Sequence, residues 1–98
     1  MKIQLRKWDG AKYLETPEDI ALYLAACFSE DGNDAALIAR MLDEISRSSG
    51  LRQIATEAGI DADLLATALV QNGLPNFEAM LTLVKALGLQ FRIEPTAA

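Results

Sequence analysis

The side chains available in this chain narrow its chemistry at once. There is no histidine among its 98 residues, which removes imidazole acid–base catalysis and most transition-metal sites. The one cysteine, Cys27, lies in the apolar run YLAACF and reads as a small buried side chain rather than a reactive thiol. The 14 Asp and Glu residues are scattered without the spacing of a metal-ligand set, and no glycine-rich phosphate loop is present. They read as a solvated surface. No catalytic residue, metal site or cofactor is therefore expected, and the chain is not expected to be an enzyme. What remains is recognition by hydrogen bonds and charge. Ser49, Arg52 and Gln53 stand together at the expected N-terminal end of a short helix, where amides and the helix dipole favour an anion. The alternative for these residues is plain solvent exposure.

The stretch that would position them is Leu51 to Val70, LRQIATEAGIDADLLATALV. Its punctuation predicts a helix-turn-helix. One short helix covers Leu51 to Ala58, Gly59 breaks it, Ile60 plugs the turn, and Asp61 caps a second helix running to about Val70. Ile54, Ala55 and Ala58 should meet Ile60, Leu65, Ala68 and Leu69 in a shared core. Ala55 should be small because two helices joined by so tight a turn come close. Gly59 should take a positive φ.

The flanking elements follow in order. Met1 to Leu5 is a candidate short strand, and Trp8 to Leu14 a loop whose Trp8, Tyr13 and Leu14 clamp onto the core. Thr16 should cap a helix with Pro17 in its first position and Asp19 in its third, continuing to about Phe28. SEDGND, residues 29–34, is a polar break. The next helix should run from about Asp34 to Ser48, burying Leu37, Ile38, Met41, Leu42 and Ile45, with Asp43 and Arg47 paired on its outer side. Residues 71–77, QNGLPNF, read as a loop. Asn76 should cap a last helix, Phe77 to Leu87, with Phe77, Met80, Leu81, Val84 and Leu87 as its apolar face and Gly88 as its stop. Leu89 to Glu94 alternates apolar and polar side chains, as a strand does. A lone strand is a liability, so it should pair with the N-terminal segment or with its own copy in a second chain. The tail, residues 95–98, is expected to be disordered.

Length and composition fit a single domain over 1–98, with an N-terminal arm over 1–15 and the motif over 51–70. A single cysteine excludes an internal disulfide and suits a reducing compartment. With no stretch of transmembrane length and no signal-like N-terminus, a cytoplasmic location and no membrane partner are expected. The net charge of −5 is unfavourable for binding phosphate, although Lys2, Arg6, Lys7 and Lys12 against Asp9 give residues 1–14 a local +3.

Three stretches together carry a resemblance: YLETPEDIALYL, LIARMLDEISRSSGLRQIATEAGI and GLPNFEAMLTLVKALGLQF, spanning about residues 8 to 93. In these the chain resembles the addiction-module antidote proteins, the small HigA-like helix-turn-helix antitoxins of bacterial toxin–antitoxin pairs. The resemblance implies an all-α, five-helix domain of the phage-repressor type, here with a short C-terminal β-strand. It also implies a RelE/ParE-like toxin as partner and repression of the shared operon, with double-stranded operator DNA as a further partner; the homodimer is expected from the strand pairing above, and would present two motifs to two half-sites. On that reading Ser49, Arg52 and Gln53 face phosphate, Asp63, Ala66 and Thr67 face base edges, and Gln71, Asn72 and Asn76 add contacts from the following loop.

The chain departs from the family where DNA would be read. Relatives tend toward GLSRESLYKAL, whereas this chain has GIDADLLATAL. Ala62 replaces an Arg-like position, Leu64 a Ser-like one, Ala66 a Tyr-like one and Thr67 a Lys-like one. Asp61 and Asp63 place negative charge at the end expected to enter the major groove. A carboxylate there can accept from cytosine N4 but repels phosphate. The alternative reading is a protein-interaction module that keeps the fold, covers a toxin and has lost sequence-specific DNA binding. Leu64 either serves that surface or packs against the last helix.

Overall fold

The computed structural model of the chain describes residues 10–95. A short 3-10 turn, Gly10–Tyr13, leads into α1 (Pro17–Asp31), α2 (Ala35–Ser46), α3 (Ser49–Ala58) and α4 (Ala62–Leu69). The hairpin strands β1 (Val70–Gln71) and β2 (Leu74–Pro75) precede α5 (Phe77–Ala86). The described residues thus form five helices with one short antiparallel pair. The candidate strand Met1–Leu5, Trp8 and residues 96–98 lie outside the described residues.

Each helix begins on a side chain that satisfies amides the helix itself leaves unpaired. At α1 the Thr16 hydroxyl accepts the Asp19 N–H at 3.1 Å while the Asp19 carboxylate accepts the Thr16 N–H at 3.1 Å, a reciprocal capping box. Asp34, Asp61 and Asn76 cap α2, α4 and α5. α1 runs to Asp31 instead of stopping near Phe28, because nothing in SED breaks a helix before Gly32. α3 begins at Ser49 and not Leu51, and α2 ends at Ser46 and not Ser48. The cause is Ser48, which is buried: its hydroxyl donates to the Ile45 carbonyl at 2.7 Å and accepts the Leu51 N–H at 3.2 Å.

The core is one cluster, built from Ile20 and Leu24 of α1, Met41, Leu42 and Ile45 of α2, Leu51 and Ile54 of α3, Leu65 and Leu69 of α4, and Met80 and Leu83 of α5. Leu14 belongs to it, while Tyr13 is exposed. Four residues expected inside lie outside: Leu37, Ala58, Phe77 and Leu81 are exposed. α5 buries Met80 and Val84 as expected, with Ala79 and Leu83 in place of Phe77 and Leu81. Glu78, Thr82 and Lys85 form a polar stripe opposite that face, and Phe77 and Leu81 lie at its edge, next to the stripe. Cys27 is half-buried against the cluster.

Residues 71–77 are not simply a loop. Val70 pairs with Pro75 and Gln71 with Leu74 around a two-residue turn. Asn72 and Gly73 both have positive φ, 55° and 75°, the conformation that Asn-Gly favours in a tight hairpin. At the C-terminus, Gly88 turns left-handed with φ of 76°. The Leu89 N–H reaches back to the Val84 carbonyl at 3.0 Å, closing the helix. The strand expected over Leu89–Glu94 does not pair with any described segment. Phe91 anchors this segment, edge-on to Phe28 at 5.3 Å and tilted over Phe77 at 5.9 Å. Together with α1 and α5 it lines a groove of about 1040 Å³. Among the described residues no helix is long and apolar enough to cross a membrane.

Candidate nucleic-acid interface

The geometry of the candidate face is set by the turn between α3 and α4. Gly59 has φ of 73°, its N–H bonds the Thr56 carbonyl at 3.3 Å, and the Ile60 N–H bonds the Ala55 carbonyl at 2.8 Å. This left-handed closure reverses the chain in one residue. Ala55 is fully buried under it, as a close approach of two helices requires. The Asp61 carboxylate then accepts the Asp63 and Leu64 amides at 2.9 and 3.1 Å and starts α4.

At the other end of α3, Gly50 lies against the entrance to α1. Its N–H donates to the Leu14 carbonyl at 2.8 Å. A Cβ there would stand 2.7 Å from the Leu14 oxygen, 2.9 Å from Ile20 Cδ1 and 3.0 Å from the Thr16 oxygen. Of the first three amides of α3, Gly50 and Leu51 therefore already have protein partners, and Ser49 alone has none among the described residues.

Ser49, Arg52, Gln53, Asp63 and Thr67 are all exposed. The Arg52 guanidinium donates to the Asp63 carboxylate at 3.2 Å, so the start of α3 and the first turn of α4 share one surface. Gln53 Nε2 donates to Glu57 at 3.1 Å. Two of the three candidate phosphate donors are thus occupied by carboxylates of the same motif. Arg52 against Glu57, Asp61 and Asp63 leaves residues 51–70 at −2. Ala66 is half-buried against the core, whereas Leu64 is 70% exposed and not packed on the last helix. Gln71 and Asn72 are exposed on the hairpin. Asn76 is already engaged: its N–H bonds the Leu69 carbonyl at 2.9 Å, its Oδ1 accepts the Ala79 N–H at 3.1 Å, and its Nδ2 donates to Gln71 at 3.0 Å.

One of these contacts escapes a reading of the sequence. Arg52 and Asp63 are eleven residues apart on different helices, and only their crossing brings them together. The Gln53–Glu57 contact is an i,i+4 pair and was open to inference. A third lies away from this face. Tyr23 on α1 donates to Glu44 on α2, and a Cβ at Gly10 would come within 2.7 Å of the same carboxylate oxygen. Glu44 thus sits between α1 and the N-terminal turn. Burial first, then the hydrogen bond to Glu44 and its charge, push the Tyr23 phenol above its ordinary value. Arg47 and Asp43 pair at 3.2 Å on the outer side of α2, as their spacing predicts. Among the described residues no three acidic or cysteine side chains converge as a metal site.

A family model described as "Probable addiction module antidote protein" matches residues 4–95. An "Uncharacterized protein" of Haemophilus influenzae (strain ATCC 51907 / DSM 11121 / KW20 / Rd) is 38% identical over 94 residues, covering 96% of this chain and 95% of its own length. No solved structure matches the chain.

Proposed function

The chain belongs to the family of probable addiction module antidote proteins, and from that premise we propose that it neutralises a RelE/ParE-like toxin and represses the operon encoding the pair, acting as a cytoplasmic homodimer. Such an antidote acts by occupying its partners, so no catalytic step is assigned to it. In this reading α3 and α4 form a helix-turn-helix that docks on operator DNA. The observation that supports it most is the Arg52–Asp63 contact at 3.2 Å, because it puts the start of α3 and the leading edge of α4 on one exposed face. Ser49, Arg52 and Gln53 then meet phosphate, Asp63, Ala66 and Thr67 meet base edges, and Gln71, Asn72 and Asn76 lie at the edge of the contact. An exposed ion pair is weak, so a phosphate can take Arg52 from Asp63, at the cost of leaving that carboxylate unpaired beside the DNA.

The test is binding of the purified protein to its own promoter across a salt series. Retardation with a negative log–log salt slope is expected. Arg52→Ala should reduce the slope by about 0.9, one phosphate contact. Asp63→Asn should tighten binding by releasing Arg52. Absence of retardation even at low salt would sink the operator reading for the isolated protein.

A second reading has its own support. Leu64 is 70% exposed between Asp61 and Asp63, an apolar point in an acidic surround that suits a basic protein surface better than a phosphate-lined groove. In that case the same face covers the toxin. Leu64→Asp would then abolish co-purification with the product of the neighbouring gene while leaving promoter binding no stronger.

A further inference from the structure

The segment Gln90–Glu94 has the alternation of a strand and no strand beside it among the described residues. None of its backbone groups has a hydrogen-bond partner among the described residues. It is nonetheless held in place, because Phe91 is wedged against Phe28 and Phe77. Two residues on, Ile93 is 99% exposed, an unusual position for a β-branched apolar side chain on an anchored segment. Arg92 and Glu94, on the opposite side of the alternation, sit 4.0 Å apart.

We propose that this segment is the interface with a second copy of the chain, pairing antiparallel with its own equivalent about a two-fold axis at Ile93. The proposal deepens the dimer reading above and rests on it. Self-complementarity carries the argument. An antiparallel pair centred on residue 93 sets Ile93 opposite the partner's Ile93, Arg92 opposite the partner's Glu94, and Glu94 opposite the partner's Arg92. Two opposite-charge pairs and one apolar pair result, with no like charges facing. Pro95 selects between the two possible hydrogen-bonding phases. Antiparallel ladders alternate hydrogen-bonded and non-hydrogen-bonded residue pairs. If Ile93 is the non-hydrogen-bonded pair, Arg92 and Glu94 exchange the main-chain bonds, and Pro95, which has no N–H, falls opposite Phe91 where none is required. The same residue array therefore satisfies backbone, charge and apolar contact with one partner, its own copy. The chain's charge of −5 opposes dimerisation at long range, but the paired segment is locally neutral and the repulsion is screened beyond about 8 Å at physiological salt.

The experiment is sedimentation velocity of the full chain over a range of concentrations, with variants at fully exposed positions. The wild type should be a dimer that dissociates on dilution. Ile93→Lys should weaken it about tenfold or more, and Arg92→Glu or Glu94→Arg should each do so by setting like charges face to face. The double variant Arg92→Glu/Glu94→Arg should recover dimerisation. In a Cys27→Ser background, Ile93→Cys should cross-link under mild oxidation, since non-hydrogen-bonded pairs bring Cα atoms to about 4.5 Å. Leu22→Cys, at another exposed apolar position, should not. A wild type monomeric at every concentration overturns the dimer reading and this interface with it. A dimer that survives Ile93→Lys, or Ile93→Cys chains that cross-link no better than Leu22→Cys, leaves the dimer standing and overturns the interface. Failure of the double variant to recover overturns the register.

Discussion

Gly50 is closely enclosed, and its side is decided largely by backbone atoms. Two carbonyl oxygens and Ile20, which is fully buried, occupy the space a Cβ would need, so a methyl group there must push α3 away from the start of α1. Gly50→Ala should destabilise by about 1–3 kcal/mol, the range of overpacking in a close-packed interior, despite the better helix propensity of alanine. Chemical denaturation measures this; an unchanged or raised midpoint would show that the helices can part freely. Tyr23 offers a pH signature. Its folded pKa lies above the unfolded value of about 10, so the protonated phenol stabilises the fold below that pH and the contribution is lost as pH rises through the folded value. Tyr23→Phe should therefore cost about 1 kcal/mol near pH 8, and the gap to wild type should shrink above about pH 10. Thermal midpoints of the two proteins across that range test it, and a constant gap would contradict the assignment.

Among the elements, the hairpin and α5 behave as one unit. β1 and β2 are two residues each, too short to persist alone. Asn76 joins them to α5 by bonding Leu69, Gln71 and the first turn of the helix. Asn76→Ala removes the cap and the bond to Gln71 together, and should cost about 1 kcal/mol. The amide of Ala79 should exchange faster in the variant, while the α3–α4 turn, closed by Gly59, should not. The hairpin was legible in the sequence and still read as a loop: Asn72-Gly73 is the strongest short-range hairpin signal, but the flanking Val70-Gln71 and Leu74-Pro75 are too brief to show alternation. The C-terminal segment went the other way. Its alternation is clear, yet hydrogen bonding needs a neighbour, and within the described chain there is none.

Over the whole molecule, charge and apolar surface are unevenly placed. The described residues hold six of the cations and 13 of the acids. An excess of positive charge is carried by Lys2, Arg6 and Lys7 against Asp9, so residues 1–9 are locally +2 in an otherwise acidic chain. Of the large apolar residues left outside, Leu64 on α4 and Ile93 in the C-terminal segment lie where contacts with other molecules are proposed, while Leu22, Leu37 and Leu81 lie elsewhere on the surface.

The sequence by itself determined where helices begin and end at most boundaries, because caps and stops are local: Thr16, Asp34, Asp61 and Asn76 act on amides within three residues, and Gly59 and Gly88 act through their own φ. It also determined the tight crossing of α3 and α4, through Ala55, Gly59 and Ile60. Only the tertiary structure decided where the buried face of α5 ends: the polar stripe Glu78, Thr82 and Lys85 marks its outer side, but that Phe77 and Leu81 beside the stripe stay exposed depends on how α3 and α4 are set against the helix. Only the crossing of α3 with α4 could tie Arg52 to Asp63, and only the packing of α1 on α2 could bring Tyr23 to Glu44. These are contacts between residues far apart in the chain, whose distance is fixed by how the helices pack and by nothing in the spacing of the residues themselves.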